Sequence, residues 1–473
     1  MKCYLLVDFG STNTKLTIVD IENEEIIATA KAITTIEDDI MRGFNEAYAQ
    51  LEPVILENNI EFVEKIGCSS AAGGLKMIAI GLVPELTSEA ARRASLGAGA
   101  KILNTYSYEL AEADVEEMLA MKPEIILLCG GTDGGNKEVI INNAKVLAKF
   151  KITIPIIVAC NKAAQPQVAE IFNKVGFDYY RCENVMPSIN ILNVDNVRDV
   201  IREVFMKNIV YAKGLDNAIK YVGDVLMPTP AAVLNAASLL AKGTDEEDGI
   251  GDLVVVDIGG ATTDVHSLCD GYPTKGGITM KGLQEPFAKR SVEGDLGMRY
   301  SVLACYQAAG YRMFKKYYPN DISKDEVERQ INLRHEDIKL VPINKEDKIF
   351  DATIAKICTE LALNRHAGYI ETSFSPFGSM YSQYGKDLTQ IRYLVGTGGV
   401  LVFNDKPADI LKAAKFDNEQ PDLLKPMHPR YLLDKTYILS AMGLLATKLP
   451  NQALRIMKKY LIEIKEDNNE IKE

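Results

Sequence analysis

The chain has 473 residues, 47% of them hydrophobic and 25% charged, which is typical of a globular protein large enough for more than one core. Its formal net charge of −12 argues against a polyanionic nucleic-acid partner. No apolar run approaches the roughly 20 residues that a membrane-spanning helix requires, so we expect no membrane association.

The first predicted strand ends in a carboxylate, and a turn rich in glycine and hydroxyl groups follows it. Residues 4–15 read Tyr-Leu-Leu-Val-Asp-Phe-Gly-Ser-Thr-Asn-Thr-Lys, an apolar run that predicts a buried strand ending at Asp8. The turn at Gly10 would let backbone N–H groups approach a phosphate closely. Strands over 16–20 and 26–30 would continue the chain as an antiparallel meander. A cleaved signal peptide would remove the carboxylate, so we expect a cytoplasmic protein.

Helical and strand patterns alternate over the rest of the first half of the chain. Helices are predicted over 38–58, 109–121 and 165–175, and strands over 124–129 and 152–160. Such alternation favours an α/β lobe with parallel strands.

A glycine-rich loop follows the predicted strand over 124–129. Residues 130–135 read Gly-Gly-Thr-Asp-Gly-Gly, which is more glycine than a turn requires. Asp133 in this loop either lines a ligand cleft or faces a partner, and a plain surface loop is an equally good interpretation. Asp133 is also the residue that would support a kinase, because a kinase needs a general base near its acceptor.

The motif of the first strand recurs 249 residues later. Residues 253–264 read Leu-Val-Val-Val-Asp-Ile-Gly-Gly-Ala-Thr-Thr-Asp, so Asp257 aligns with Asp8 and Gly259 with Gly10. A single Asp-x-Gly occurs by chance in any long chain, whereas two copies in matching register indicate two related lobes that act on one polyphosphate.

The second half is predicted to be rich in helices over 281–310 and 324–333, with a strand over 392–395. Glu293 and Asp295 lie where a helix of this half would approach a nucleotide or a water molecule. Capping of a helix N-terminus by these acidic residues is the alternative.

The order of these motifs resembles that of the superfamily of sugar kinases, heat-shock chaperones and actin. Residues 8–15 and 257–264 resemble its two phosphate-binding hairpins, and residues 227–236 resemble the helix that precedes the second hairpin. Residues 396–399, Gly-Thr-Gly-Gly, resemble the adenosine-binding turn without the Arg and Pro that follow it in the chaperones, and residues 440–445 resemble the final connecting helix. The resemblance implies an α/β, two-lobed actin-like ATPase fold, with duplicated ribonuclease H-like lobes and a central nucleotide cleft.

The resemblance also implies lobe boundaries and cofactors. Lobe I would comprise residues 1–247, completed by a C-terminal helix over 434–473, and lobe II would comprise residues 248–433. ATP and Mg²⁺ would be the cofactors, and Mg²⁺ would keep several waters and therefore few direct protein ligands.

In this superfamily the two strand-end carboxylates orient hydrated Mg²⁺ and the attacking water, so Asp8 and Asp257 are the predicted catalytic and metal-site residues. A buried carboxylate without such a partner is costly, and capping of turn amides is the structural alternative. Lys15 either reaches the phosphates or lies in solvent. The predicted phosphate ligands are Gly10, Ser11, Thr12, Asn13, Lys15, Gly259, Gly260, Thr262 and Thr263, and the predicted adenosine ligands are Gly396, Thr397, Gly398 and Gly399.

Three further motifs narrow the resemblance. Residues 68–77 (Cys-Ser-Ser-Ala-Ala-Gly-Gly-Leu-Lys-Met), 127–136 (Leu-Leu-Cys-Gly-Gly-Thr-Asp-Gly-Gly-Asn) and 291–297 (Ser-Val-Glu-Gly-Asp-Leu-Gly) resemble the glutamate mutase-associated MutL (GlmL) family, which is distinct from the DNA mismatch-repair proteins of the same name. The resemblance implies an ATPase that acts as a reactivating chaperone for an adenosylcobalamin-dependent mutase, such as glutamate mutase, or an aminomutase. A small-molecule kinase and a non-catalytic ATP-sensing interaction protein are the alternatives.

The eight cysteines are scattered, without a Cys-x-x-Cys pair or a Cys/His cluster at zinc spacing, so buried reduced thiols are expected rather than a metal site. A related branch, the activators of acyl-CoA dehydratases, carries an iron–sulfur cluster at its subunit interface. The sequence leaves such a cluster, and a homo-oligomer, open.

Overall fold

The computed structural model describes the residues 1–10, 13–34, 40–69, 75–212, 221–376 and 378–465. The chain forms two compact units, which consist of Met1–Ala236 with Ser440–Gln452 and of Ala237–Leu439 with Ala453–Glu473. Each unit is therefore assembled from two separate stretches of the chain. The lobe boundaries expected from the sequence, 247/248 and 433/434, stay a prediction.

The described residues form strands and helices in the following order. The strands are β1 (Lys2–Phe9), β2 (Asn13–Asp20), β3 (Glu25–Ile33), β4 (Glu61–Ser69), β5 (Leu75–Ile80), β6 (Ala100–Tyr106), β7 (Ile125–Gly130), β8 (Ile156–Cys160), β9 (Tyr179–Arg181), β10 (Asp224–Pro228), β11 (Leu253–Ile258), β12 (Thr263–Leu268), β13 (Ile278–Lys281), β14 (Ala288–Glu293), β15 (Tyr369–Ser375), β16 (Gly378–Tyr384), β17 (Tyr393–Thr397), β18 (Arg430–Leu433) and β19 (Ile462–Ile464). The α-helices are α1 (Ile40–Glu57), α2 (Glu89–Gly97), α3 (Glu112–Ala120), α4 (Glu138–Leu147), α5 (Gln165–Val175), α6 (Val194–Ala212), α7 (Thr229–Lys242), α8 (Val302–Tyr317), α9 (Lys324–Glu336), α10 (Lys345–His366), α11 (Gly399–Val402), α12 (Pro407–Leu411), α13 (Leu439–Leu445) and α14 (Pro450–Tyr460). A helix with the length and apolarity to cross a bilayer does not occur within these described segments.

The predicted hairpin of the first motif belongs to a five-stranded sheet in the first unit, with the strand order β3-β2-β1-β4-β10. Strands β1, β2 and β3 are antiparallel, whereas β4 runs parallel to β1 and β10 parallel to β4. Every β1 residue from Leu5 to Phe9 is buried. A strand with both faces covered reads as a continuous apolar run, which is why this one is conspicuous in the sequence.

The main sheet of the second unit repeats this arrangement, with the strand order β14-β12-β11-β17-β18-β19. Strands β11, β12 and β14 form the antiparallel part, β17 runs parallel to β11 and β18 parallel to β17. Strand β19 adds an antiparallel edge. Both units therefore contain three antiparallel strands followed by two parallel ones. This confirms the predicted α/β fold with duplicated ribonuclease H-like lobes, the fold of the actin-like ATPases.

The first unit contains a second, wholly parallel sheet with the strand order β6-β5-β7-β8-β9. The strands predicted over 124–129 and 152–160 are its members β7 and β8, and the helices predicted over 109–121 and 165–175 are α3 and α5. The sheet has a doubly wound order and its own apolar core beneath α3, α4 and α5. The sequence predicted parallel strands, but it did not reveal that they form a sheet separate from the hairpin sheet.

Two segments differ from the sequence-based expectations. Residues 281–310, predicted to be rich in helices, contain strand β14 before helix α8 begins at Val302. Strand β14 forms because it pairs with β12 along its whole length, with His266 opposite the buried Arg290, and this tertiary pairing outweighs a weak local preference. The segment 434–473, expected as one helix, consists of α13, α14 and β19, and its last eight residues, 466–473, lie outside the described part.

Candidate functional site

The first hairpin has the tight turn that a phosphate-binding loop requires. The N–H of Gly10 donates to the carbonyl oxygen of Asn13 over 3.1 Å. The carbonyl oxygen of Gly10 in turn accepts a hydrogen bond of 2.8 Å from Thr34 Oγ1, which fixes the turn against the end of β3. Ser11 and Thr12, also predicted as phosphate ligands, lie outside the described residues.

The Asp8 carboxylate is buried, with 3% of its surface exposed, and it accepts hydrogen bonds from four side chains. Thr229 Oγ1 donates to Oδ1 over 2.6 Å and Cys68 Sγ over 3.5 Å. Ser440 Oγ donates to Oδ2 over 3.0 Å and Lys15 Nζ over 3.4 Å. These donors offset the cost of removing a carboxylate from water. They also place Lys15, a predicted phosphate ligand, beside the predicted catalytic carboxylate.

Strand register and a close helix contact bring these donors together. Asp8 lies opposite Lys15 on β2 and opposite Cys68 on β4, while the other two donors belong to α7 and α13. The two helices touch at Gly443, where a Cβ atom would lie only 1.8 Å from the carbonyl oxygen of Ala232. Gly443 lies in the segment 440–445 that resembles a connecting helix, and the backbone approach requires glycine here.

Cys68 acts in this network as a thiol. Burial raises the pKa of Cys68 well above its ordinary value, and the neighbouring Asp8 carboxylate raises the pKa further, so the sulfur keeps its proton and donates it. All eight cysteines are free thiols, seven of them buried and Cys182 half-buried.

The second hairpin repeats the turn of the first. The N–H of Gly259 donates to the carbonyl oxygen of Thr262 over 2.9 Å. The carbonyl oxygens of Gly259 and Gly260 accept hydrogen bonds from the N–H groups of Met298 (3.0 Å) and Arg299 (2.8 Å). The segment that leads into α8 is therefore hydrogen-bonded to this turn and holds it in place.

Two carboxylates lie opposite each other on this hairpin. Asp257, the predicted partner of Asp8, is half-buried and pairs in register with Asp264 on β12 and with Thr397 on β17. Asp264 is buried and accepts hydrogen bonds from Arg290 Nε (2.8 Å) and Thr262 Oγ1 (3.1 Å). Asp264 is thus engaged in an ion pair within the sheet, whereas Asp257 stands at the strand end beside the glycine turn.

The predicted adenosine turn lies against the second hairpin. Gly398 adopts φ of +107°, and a Cβ atom there would lie 2.4 Å from the carbonyl oxygen of Ile258, so this position requires glycine. Thr397 Oγ1 donates to Asp434 Oδ2 over 3.1 Å, and the N–H of Asp434 donates to the carbonyl oxygen of Gly396 over 2.9 Å. The turn continues directly into α11, which begins at Gly399.

Glu293 and Asp295 are held by one arginine rather than by a helix terminus. Glu293 is the last residue of β14 and lies opposite Thr263 in the ladder. Arg365 Nη1 donates to Glu293 Oε2 over 2.7 Å and to Asp295 Oδ1 over 2.6 Å, and its Nη2 donates to Asp295 Oδ2 over 2.8 Å. Both acidic residues therefore lie on a strand and in the turn after it instead of on the expected helix, and their approach to a nucleotide stays a prediction.

We expect Arg365→Met to lower the stability of the second unit more at neutral pH than in acid. The hydrogen bonds from Arg365 lower the pKa of Asp295. The ionised carboxylate therefore stabilises the fold at pH values above the ordinary pKa of an aspartate, about 3.9. This contribution is lost as the pH falls below that value. Burial raises the pKa of Glu293 even with Arg365 present, so its ionised form would be costlier still without the arginine. Thermal unfolding measured from about pH 8 to about pH 2 would show the deficit shrinking in acid.

The matched control is Arg430→Met, because Arg430 forms an exposed pair with Glu463 in the same unit and exposed pairs contribute little. A stability deficit of Arg365→Met that is equal at all pH values would contradict the ionic explanation.

Asp133 lies in the loops at the carboxyl end of the parallel sheet. Its Oδ1 accepts hydrogen bonds from the N–H of Lys162 (2.9 Å) and from Asn184 Nδ2 (3.0 Å), and its own N–H donates to the carbonyl oxygen of Pro187 over 2.9 Å. The side chain thus ties three loops of this sheet together.

Sequence reasoning missed several side chains that complete these sites. Thr229, Ser440 and Cys68, which bind Asp8, lie within segments that were singled out only for their resemblance to known families. Arg365 and Arg290 carry no local signal, because each meets its carboxylate from a distant element.

The comparisons with known proteins concern almost the whole chain. A profile described as MutL protein matches residues 4–461. The chain is 59% identical over 464 residues to "Protein MutL" of Clostridium tetanomorphum, an alignment that covers 98% of this chain and all of the relative.

Solved structures of similar fold were also found. A xylulose kinase from Lactobacillus acidophilus is 10% identical, with a TM-score of 0.35 and coverage of 98% of this chain and 93% of the kinase. An activator of the 2-hydroxyisocaproyl-CoA dehydratase from Clostridium difficile, solved with ADPNP, is 9% identical, with a TM-score of 0.31 and coverage of 98% of both chains. Both TM-scores are too low to carry a functional argument.

Proposed function

The chain belongs to the MutL protein family, and from this premise we propose that it binds ATP with Mg²⁺, hydrolyses it, and acts as a reactivating chaperone for an adenosylcobalamin-dependent mutase such as glutamate mutase, or for an aminomutase. The family is the glutamate mutase-associated one that the sequence motifs resemble.

The observation that carries the proposed nucleotide binding is the duplicated hairpin. In both units a buried strand ends in aspartate, and a glycine two residues later donates its N–H to the carbonyl oxygen three residues further on, over 3.1 Å at Gly10 and 2.9 Å at Gly259. The same five-strand arrangement presents each hairpin. Two equivalent turns, each preceded by a carboxylate, suit a ligand with several negatively charged groups and a bound cation.

The phosphate and adenosine ligands are proposed from these turns. Backbone N–H groups and hydroxyls offset phosphate charge without any change in their own protonation. The proposed phosphate ligands are Gly10, Ser11, Thr12, Asn13 and Lys15 in the first unit and Gly259, Gly260, Thr262 and Thr263 in the second. The proposed adenosine ligands are Gly396, Thr397, Gly398 and Gly399, supported by the contact of Gly398 with strand β11.

The carboxylates Asp8 and Asp257 fit a hydrated Mg²⁺ better than a directly coordinated one. Both Asp8 oxygens already accept protein hydrogen bonds, and no group of three or more His, Cys, Asp or Glu residues in the described ranges is arranged to hold a metal. Mg²⁺ commonly keeps several waters, and when bound it would neutralise charge on the phosphates. Asp8 and Asp257 would orient water molecules at the two hairpins, and Lys15 would add a positive charge beside Asp8.

The kinase alternative lacks a supporting observation. Its candidate base, Asp133, is hydrogen-bonded to Lys162 and Asn184 within the loops of the parallel sheet. A general base must reach the proton that it removes, and a carboxylate that holds loops together is poorly suited to that task. We therefore favour the ATPase and chaperone role.

The test is MgATP hydrolysis by the purified full-length chain, alone and with a glutamate mutase or aminomutase carrying damaged cobalamin. We expect slow basal turnover that the damaged mutase stimulates and that the intact mutase does not. Turnover that rises only with a small metabolite would move the assignment to a kinase. Nucleotide binding without turnover would leave an ATP sensor.

A further inference from the structure

The second unit contains a cavity of about 390 Å³ that lies away from the candidate nucleotide residues. Its lining residues belong to α8, to α10 and to the segment 409–425. The adenosine turn, Gly396–Gly399, lies at the carboxyl end of β17. Within the described residues, no candidate phosphate or adenosine ligand lines the cavity, so the cavity is a different site.

The wall of this cavity is positively charged, in contrast to the net charge of −12 of the whole chain. It is lined by five lysines and three carboxylates. The lysines are Lys316, Lys356, Lys412, Lys415 and Lys425. A concave basic surface on an acidic protein concentrates anions.

One of these lysines is buried without a direct partner. Lys425 is 1% exposed, and within the described residues its Nζ forms neither a hydrogen bond nor an ion pair. Burial lowers the pKa of Lys425, although the charges of Glu360 and Asp417 act to raise it, so the loss of hydration outweighs the attraction of these carboxylates.

The carboxylates whose charges act on Lys425, Glu360 and Asp417, are already engaged. Glu360, 3% exposed, accepts hydrogen bonds from Lys316 Nζ (3.0 and 3.1 Å) and from Tyr317 Oη (2.5 Å). Asp417 also pairs with Lys316, at 3.4 Å. Two of the three carboxylates of the wall are thus paired with Lys316, and the ammonium group of Lys425 is left for a ligand.

Another buried lysine of the same unit shows how this fold satisfies such a group. Lys386 is fully buried, and its Nζ donates to the carbonyl oxygens of Ser267 (3.2 Å), Cys269 (2.8 Å) and Phe287 (2.7 Å). Buried charged groups are normally paired in this way. Lys425 differs from Lys386 in that its ammonium group faces a cavity instead of a set of backbone carbonyls.

We propose that this cavity binds a small anion with a phosphate or carboxylate group, with the ammonium group of Lys425 as its buried ligand and the neighbouring lysines as its charged rim. The volume suits a small metabolite, and charge-assisted hydrogen bonds would supply the affinity. The site is independent of the proposed nucleotide site and of its role.

Isothermal titration of the full-length chain with inorganic phosphate and, in a second series, with citrate tests the proposal and distinguishes the two anion classes. We expect saturable binding of one of them. Lys425→Met should weaken that binding by about tenfold or more, and Lys425→Arg should largely retain it. Lys315→Met is the matched control, because Lys315 adjoins the wall residue Lys316 on α8 but does not line the cavity and pairs with the exposed Asp321.

Circular dichroism and thermal unfolding would verify that each variant folds. If Lys425→Met does not fold, Lys356→Met, which removes a half-buried lysine of the same wall, replaces it with the same expected direction. Anion binding that survives both substitutions, binding that the Lys315→Met control loses equally, or no binding of either probe by the unaltered chain would overturn the proposal.

Discussion

Replacing Asp8 with asparagine is expected to lower MgATP hydrolysis by about a hundredfold or more while the chain still folds. Asparagine keeps the size of the side chain and one acceptor oxygen. The hydroxyls of Thr229 and Ser440 now donate to Asp8, and a hydroxyl is also able to accept a hydrogen bond from the new amide group. The substitution therefore removes the negative charge with little loss of packing. Steady-state phosphate release with saturating MgATP would measure the expected loss of hydrolysis.

Alanine at position 8 is a less informative substitution. It would leave the hydroxyls of Thr229 and Ser440 and the thiol of Cys68 without this acceptor, at a cost of about 1–3 kcal/mol for each buried group, so lost activity and lost stability would be confounded. Asp257→Asn is the second test. We expect it also to lower MgATP hydrolysis, because Asp257 occupies the equivalent position near the end of β11.

Asp20→Asn is the matched control for both substitutions. Asp20 is also buried, at the opposite end of β2, and binds the side chain and backbone of Asn23. Its replacement should leave hydrolysis near the unaltered value. Near-normal turnover in both Asp8→Asn and Asp257→Asn would remove these residues from the catalytic assignment.

Gly443→Ala should destabilise the first unit by about 3 kcal/mol or more. The added Cβ would lie 1.8 Å from the carbonyl oxygen of Ala232 and 2.5 Å from its carbonyl carbon. Since the obstacle is backbone, no side-chain rotation relieves it, and α13 must move away from α7. The intrinsic preference of alanine for helix, about 1 kcal/mol over glycine, is too small to compensate. Differential scanning calorimetry would measure the loss.

The same substitution should reduce hydrolysis, because Thr229 on α7 and Ser440 on α13 both bind Asp8 and a helix displacement lengthens at least one of these hydrogen bonds. Gly276→Ala is the control: a Cβ there meets no atom within 4 Å, so a change within about 0.5 kcal/mol is expected. Equal stability of Gly443→Ala and the unaltered chain would contradict the close helix contact.

The sequence was most informative where structure depends on neighbouring residues. The hairpins at Gly10 and Gly259 involve bonds between residues three apart, and their apolar strands are recognisable because both faces are buried. The duplicated pattern therefore predicted the fold and the position of both candidate carboxylates. The adenosine turn was located by its order in the chain, and its required glycine, Gly398, follows from a contact with β11.

The features that the sequence did not predict depend on contacts between distant parts of the chain. Asp8 meets its donors across separations of 60 residues at Cys68 and 221 at Thr229, and no periodic pattern encodes such partners. Strand β14 was mistaken for helix because its pairing with β12 decides its conformation. The parallel strands β5 to β9 were recognised singly, but sheet order is a tertiary property.

The longest of these separations bears on how the protein is made. Ser440 and Asp8 are 432 residues apart, and at a synthesis rate of about 5–20 residues per second a ribosome needs roughly 20–90 s to add that much chain. Throughout this interval the Asp8 carboxylate lacks one of its donors and α7 lacks its contact with α13. The first unit therefore cannot complete its folding in the order of its synthesis, as an N-terminal domain usually does. A nascent chain of this protein must therefore leave the hydrogen bonds of Asp8 and the packing of α7 incomplete until α13 has been synthesised.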